Sequence, residues 1–144
     1  MSKPDQNKEI VRRFYAEVMT AGNVDVCDEI VDEDFHDHGE TLFGSPQGRQ
    51  ALKDAIVGGH SIFPDLNVTL EDMVASDDMV GVRGEMRTHH TGGEFLGAEA
   101  TGNELQWKGI AIFKIRDGKI TDRWFNSDSL SVVQQLGVVP PIKF

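Results

Sequence analysis

Apolar residues recur at spacings of three and four in the first part of the chain and at a spacing of two later. Ile10, Val11, Phe14, Val18 and Met19 form one stripe, with Arg12, Arg13 and Glu17 off it, which predicts an amphipathic helix lying on a sheet. Asp5 is placed to cap this helix and Gly22 to stop it. Val24, Cys27, Ile30 and Val31 predict a second, shorter helix with Asp25 and Asp28 in its early turns. After a loop through Gly44, Ser45 and Pro46, a third helix carries Ala51, Leu52, Ala55 and Ile56 on one side. Gly58 and Gly59 are expected to end or fray it.

Between the second and third helices, residues 34–39 read as a short extended segment. It puts His36 and His38 on one face and Phe35 and Asp37 on the other. From Phe63-Pro64-Asp65-Leu66 onward the period is two. Leu66, Val68 and Leu70 alternate with polar residues, and Asp77-Asp78 makes a turn. Val80, Val82, Gly84, Met86, Thr88 and His90 share a face, opposite Arg83, Glu85, Arg87 and His89. A glycine-rich loop over 92–102, with a short strand expected near Phe95 and Leu96, precedes the next long strand. There Leu105, Trp107, Gly109, Ala111, Phe113 and Ile115 alternate with a set that includes Ile110 and Ile112, which suggests a second buried surface and a subunit contact. Asp117-Gly118 supplies the positive φ angles of a tight hairpin. On the strand that follows, period two groups Trp124, Asn126 and Asp128. A short terminal helix, 129–136, ends at Gly137.

Helices first and antiparallel strands afterwards is the α+β pattern. Three N-terminal helices are expected on one face of a four- to six-stranded, mainly antiparallel sheet. Gly81, Gly84 and Gly109 allow it to curve strongly, and a curved sheet closed by helices leaves a conical interior able to hold a ligand.

With 144 residues the chain is expected to form a single domain over 1–144. A formal net charge of −10, with Arg12 and Arg13 the only adjacent basic pair, argues against a nucleic-acid partner. One cysteine, Cys27, excludes an internal disulfide and a multi-cysteine metal site, and reads as a small core residue. The N-terminal stretch lacks the apolar core of a secretory signal, and no run approaches the ~20 apolar residues of a membrane span. The expectation is a soluble cytoplasmic protein.

Asp128 is the leading candidate for chemistry. It is placed to cap the terminal helix, and the same carboxylate at a cavity wall can accept a substrate proton. Trp124, four residues earlier on that face, would exclude water and raise a carboxyl pKa. His36 and His38 form only a His-x-His pair, too little for a metal site without a third ligand. His90 ends a strand whose same-face neighbours are apolar. Each of these histidines reads as an ordinary polar or core residue, or as a donor to a carbonyl oxygen. No G-x-S-x-G, H-E-x-x-H or phosphate-cradling glycine loop occurs, which leaves cofactor-free acid–base work in an apolar pocket. The residues expected to contact substrate are His36, Phe63, Met86, Trp107, Phe113, Trp124 and Asn126.

Several stretches together resemble the SnoaL-like polyketide cyclases, or ester cyclases, of the nuclear transport factor 2-like superfamily. They are N-K-E-I-V-R-R-F-Y from Asn7, F-H-D-H from Phe35, F-P-D-L from Phe63, T-H-H-T-G-G-E-F-L-G from Thr88, T-G-N from Thr101, D-G-K-I-T-D-R-W-F-N-S-D from Asp117, and Q-Q-L-G from Gln134. The resemblance implies a cone-shaped α+β barrel with a deep pocket for a small hydrophobic or polyketide-like molecule, no metal or cofactor, and assembly as a homodimer or homotetramer. It implies that an aspartate removes a proton flanked by carbonyls and that the enolate closes a ring by intramolecular aldol attack. Asp128 stands where that aspartate is expected, and His38 and His90 where pocket histidines recur. His36 is less regular there, and Ala100 replaces a frequent proline before Thr-Gly. Two alternatives stay open. One is a non-catalytic binding protein. The other is an epoxide-opening hydrolase or an isomerase variant, which would want an Asp-Arg-Asp network. The expected inner faces hold no arginine, since Arg83 and Arg87 fall on the outer set.

Overall fold

The computed structural model describes residues 1–39 and 42–140. Helix α1, Lys3–Arg13, is capped by Ser2, whose hydroxyl oxygen accepts from the Asp5 amide; Asp5, the expected cap, instead occupies the first turn. The helix runs on as a wider π-helical coil over Phe14–Thr20 and stops near Gly22, where φ is +74°. A 3-10 turn, Val24–Val26, leads into α2, Cys27–Ile30, and then strand β1, Val31–Asp37. Helix α3 spans Arg49–Ile62 and so passes through Gly58 and Gly59. Two glycines at roughly 1 kcal/mol each do not break it, because buried Leu52 and Ile56 anchor it and His60 bonds back to the Met19 carbonyl.

Four further elements are β2 (Asn67–Ala75), β3 (Met79–His89), β4 (Glu104–Arg116) and β5 (Lys119–Ser127), and α4 (Ser129–Gln135) follows them. The five strands are ordered β1-β5-β4-β3-β2, with β1 parallel to β5 and every other pair antiparallel. The sheet is open, with β1 and β2 at its edges. Near Phe95 the expected short strand is a single bridge to Ala98. At the β4–β5 turn, Asp117 and Gly118 have φ of +51° and +76°, as the dipeptide predicts.

One buried cluster lies between α1 and the sheet and includes Val11, Phe14, Val18, Phe35, Phe113 and Ile120. Phe113, expected at the pocket wall, is instead sealed in this core. It packs edge-on against Phe14 and Tyr15 at centroid distances of 5.7 and 5.8 Å. A second cluster, Phe63, Met86, Leu105, Trp107 and Val132, lies beneath α4.

Strand β5 departs from simple alternation at one point, with consequences for the site. Lys114 pairs with Asp122 and Ile115 with Ile120, so one step on β4 spans two on β5, and Thr121 is the extra residue of a β-bulge. Ile120 is buried, and unbroken alternation would turn 122, 124, 126 and 128 inward with it. The bulge reverses the faces. Arg123 and Phe125 turn inward, while Trp124 and Asn126 turn out to solvent.

Candidate functional site

A cavity of about 350 Å³ lies between the two clusters, walled by the π-helical continuation of α1, by α3, by the sheet and by residues 42–46. Tyr15, Leu52 and Ile56 come from one cluster, and Phe63, Met86 and Trp107 from the other. Gly109 makes room for part of the wall, since a Cβ there would fall 2.8 Å from the Phe125 ring and 3.1 Å from the Met86 methyl. The lining is overwhelmingly apolar.

Against that background the polar residues stand out. Asp37, on the same face of β1 as Phe35, is 2% exposed and accepts from Arg123 Nη2 at 2.6 Å and from the Gly39 amide at 2.8 Å. The Arg123 side chain is 15% exposed, and its guanidinium carbon lies 6.0 and 5.9 Å from the Phe14 and Phe35 ring centres. Arg123 Nε and Trp107 Nε1 are buried donors with no acceptor among the described residues. Burial pushes the Tyr15 hydroxyl up to about 12, with the Arg123 charge pulling the other way, so it stays protonated at neutral pH as a donor. His60 Nε2 lies 2.7 Å from the Met19 carbonyl; donating there, a neutral ring keeps Nδ1 as an acceptor. A carboxylate, a guanidinium and a phenol together can accept a proton, hold an oxygen that gains charge, and orient a carbonyl.

A family model described as SnoaL-like polyketide cyclase matches residues 9–136. The chain belongs to the SnoaL-like polyketide cyclase family. No curated protein sequence matches it. Among solved structures, a candidate polyketide cyclase from Bacillus cereus ATCC 10987 is 31% identical, with a TM-score of 0.74 over 90% of this chain and 79% of that one. IdmH from Streptomyces antibioticus, a candidate polyketide cyclase, is 26% identical with a TM-score of 0.77 over 90% and 97%. A candidate SnoaL-like polyketide cyclase from Jannaschia sp. CCS1 shares the fold at a TM-score of 0.84 over 97% of both chains, with 24% identity.

Within this SnoaL-like chain the expected site residues separate into groups. Phe63, Met86 and Trp107 line the cavity. Asp128 does not: it is exposed and caps α4, accepting from the Ser131 amide at 3.1 Å. His36, His38 and Trp124 meet on the outer face instead of converging on a pocket. The His38 ring stacks on Trp124 at 4.3 Å and 5°, His36 packs edge-on against His38, and His38 Nε2 lies 2.9 Å from Asp122 Oδ2. Asn126 is exposed on that same face. His90 is buried outside the main cavity, with Nε2 against the Gly93 carbonyl, and borders a separate hollow of about 90 Å³. Arg83 and Arg87 do face outward, but the inner wall is not free of arginine, because the bulge delivers Arg123. No three His, Cys, Asp or Glu side chains converge on a metal-sized site among the described residues, and no helix there is long and apolar enough to cross a membrane.

Asp37, Arg123, Tyr15 and His60 are polar cavity residues that sequence reasoning missed. For Asp37 the signal was available, since a carboxylate sharing a face with Phe35 on a short strand is out of place unless it has a buried partner. Tyr15 adjoins the helix stripe at Phe14. Arg123 carried no such signal, because its orientation depends on the bulge.

Proposed function

We propose that the cavity binds a small, mostly apolar carbonyl compound of the polyketide type and catalyses its enolisation and intramolecular aldol closure, with Asp37 and Arg123 as the working pair. The observation that carries this reading is an ion pair inside an otherwise apolar hollow. Removing two charges from water costs several kcal/mol per ion, and an apolar pair of the same volume would often be as stable. Such a pair at a cavity wall has a functional rationale. In the proposed step, a C–H flanked by carbonyls gives its proton to an Asp37 oxygen. The enolate oxygen is held by the Arg123 guanidinium and the Tyr15 hydroxyl. The enolate carbon then attacks a second carbonyl of the same molecule, and that oxygen takes the proton back. General-base assistance of this kind is worth about 10²–10⁴-fold, and alignment in a shaped pocket adds more.

The test is turnover of a linear poly-β-ketoester. Asp37→Asn is expected to lower it by about 10²-fold or more, while Asp128→Asn, which still caps α4, leaves it unchanged. The reverse pattern would restore Asp128 as the base. Wild-type protein that binds the ester without consuming it points to the non-catalytic binding role.

A second reading has its own support in the inward Arg123. Asp37 could activate water toward an epoxide while the guanidinium orients the oxygen that leaves carbon. Formation of a diol from a simple aryl epoxide, lost in Asp37→Asn, would favour it.

The exposed Ile110, Ile112 and Trp124 side chains lie next to one another on the outer face of β4 and β5, where Ile110 pairs with Asn126 and Ile112 with Trp124. We read this face as the contact between copies of the chain in a homodimer.

A further inference from the structure

The hollow of about 90 Å³ beside His90 is separate from the main cavity and is bordered by the neck of the 90–103 loop and the end of α4. Its walls are pinned by hydrogen bonds. The His90 amide donates to the Asn103 carbonyl at 3.1 Å, and the Gly102 amide to the His90 carbonyl at 2.8 Å. Gln135 ties α4 to β4, donating from Nε2 to the Gln106 carbonyl at 2.7 Å and accepting the Gln106 amide at 3.0 Å. The space suits a small polar group, since it equals the volume of about three waters.

His90 is only 2% exposed, and its Nε2 faces the Gly93 carbonyl, which can only accept. Nε2 therefore carries the hydrogen, and in the neutral ring Nδ1 is left as an acceptor. Nδ1 has no partner among the described residues, yet it is not sealed from water as Trp107 Nε1 and Arg123 Nε are. His90 borders this hollow and not the main cavity, so the hollow is where Nδ1 opens. A buried acceptor without a donor is costly, and native proteins rarely keep one without a use. Glu99, Thr101 and Asn103 border the same space. Neither the Glu99 carboxylate nor the Asn103 side-chain amide has a partner among the described residues, and the Thr101 hydroxyl accepts the Asn103 main-chain N–H at 3.2 Å. No Lys or Arg borders the hollow, which leaves Glu99 as its formal charge.

We propose that this hollow binds a small primary ammonium group, whose N–H bonds are accepted by His90 Nδ1, the Glu99 carboxylate and the Asn103 side-chain oxygen. A positive group with several donors supplies what these walls lack. An anion would meet a carboxylate and no cation. A bare alkali ion gives the imidazole nitrogen no hydrogen to accept. A transition metal finds one nitrogen and one carboxylate, short of the third protein ligand such sites need. Buried His90 gives the site direction, and exposed Glu99 gives it charge. The formal net charge of −10 favours a cation at such an opening. The site is independent of the reaction proposed for the main cavity.

Methylammonium chloride, added at constant ionic strength, tests this. Long-range proton–nitrogen NMR on isotope-labelled protein follows the His90 ring nitrogens. Saturable binding is expected, with the Nδ1 resonance moving upfield as it accepts a hydrogen bond and Nε2 staying in place. Potassium and tetramethylammonium carry the same charge without N–H donors, so neither should move Nδ1 or displace methylammonium. Glu99→Gln, at an exposed position, should weaken binding about ten-fold, the size of one charge-assisted hydrogen bond. His90→Phe should abolish binding; if that variant fails to fold, the Nδ1 shift in the wild type decides the point. The inference is overturned if methylammonium does not bind saturably, if it binds without moving Nδ1, if either control cation displaces it, or if Glu99→Gln binds as tightly as the wild type. Each of those outcomes leaves the roles proposed for Asp37 and Arg123 standing, because ester turnover is measured without methylammonium.

Discussion

Asp128 and Asp37 are both carboxylates at the end of a strand, and their surroundings assign them different work. Asp128 is exposed and accepts the Ser131 amide, which is what a helix cap requires. Asp37 is shut away from water and bonded to Arg123. Asp128→Ala is expected to lower stability by about 1 kcal/mol in chemical denaturation while leaving ligand affinity in the cavity within error. A large loss of affinity at unchanged stability would contradict this division. The Asp128 carboxylate was visible in the sequence as a cap and as a candidate base, and alternation alone had no means of choosing between them. Asp37 was equally visible beside Phe35. What the residues did not reveal was its partner, 86 positions away.

At the scale of elements, the bulge at Thr121 matters most. It converts a strand that begins by burying Ile120 into one that buries Arg123 and Phe125. Trp124 then leaves the cavity and stacks on His38 outside. A second device ties the α3–β2 turn to the end of β3, where Asp65 accepts from the Thr88 hydroxyl at 2.7 Å and the His89 amide at 2.8 Å. The His89 amide, then the Thr88 hydroxyl, hold the Asp65 carboxyl at about 2, below its ordinary 3.8. A depressed folded-state pKa stabilises the protein above the unfolded value, and the contribution fades as pH falls through the folded one. The Asp65 side chain is 51% exposed, so solvent screening reduces the contribution to roughly 1 kcal/mol. Asp65→Asn should therefore be less stable than wild type at pH 5–7, with the gap closing between about pH 4 and 2. Denaturant titrations across that range measure it, and a gap independent of pH would assign the effect to shape instead of charge.

For the molecule as a whole, the curved sheet has two uses. Its inner face and the helices enclose the cavity, and its outer face presents Ile110, Ile112 and Trp124 to solvent. Apolar side chains clustered in this way favour association. Sedimentation should give a dimer for the wild type and a monomer for an Ile110→Lys, Ile112→Glu double variant. An unchanged mass would move the contact elsewhere.

Periodicity, turn chemistry and the short motifs along the chain determined the α+β class, the order of elements, the hairpin at Asp117-Gly118 and the family. All of these depend on residues close together in the chain, where side-chain spacing fixes the face a residue occupies. Tertiary structure alone decided which polar groups share the cavity. An extra residue in one strand inverts every face beyond it, and the pairing of Asp37 with Arg123 exists only once β1 lies beside β5. Register across a sheet is set by packing between distant segments, and no local pattern carries that information.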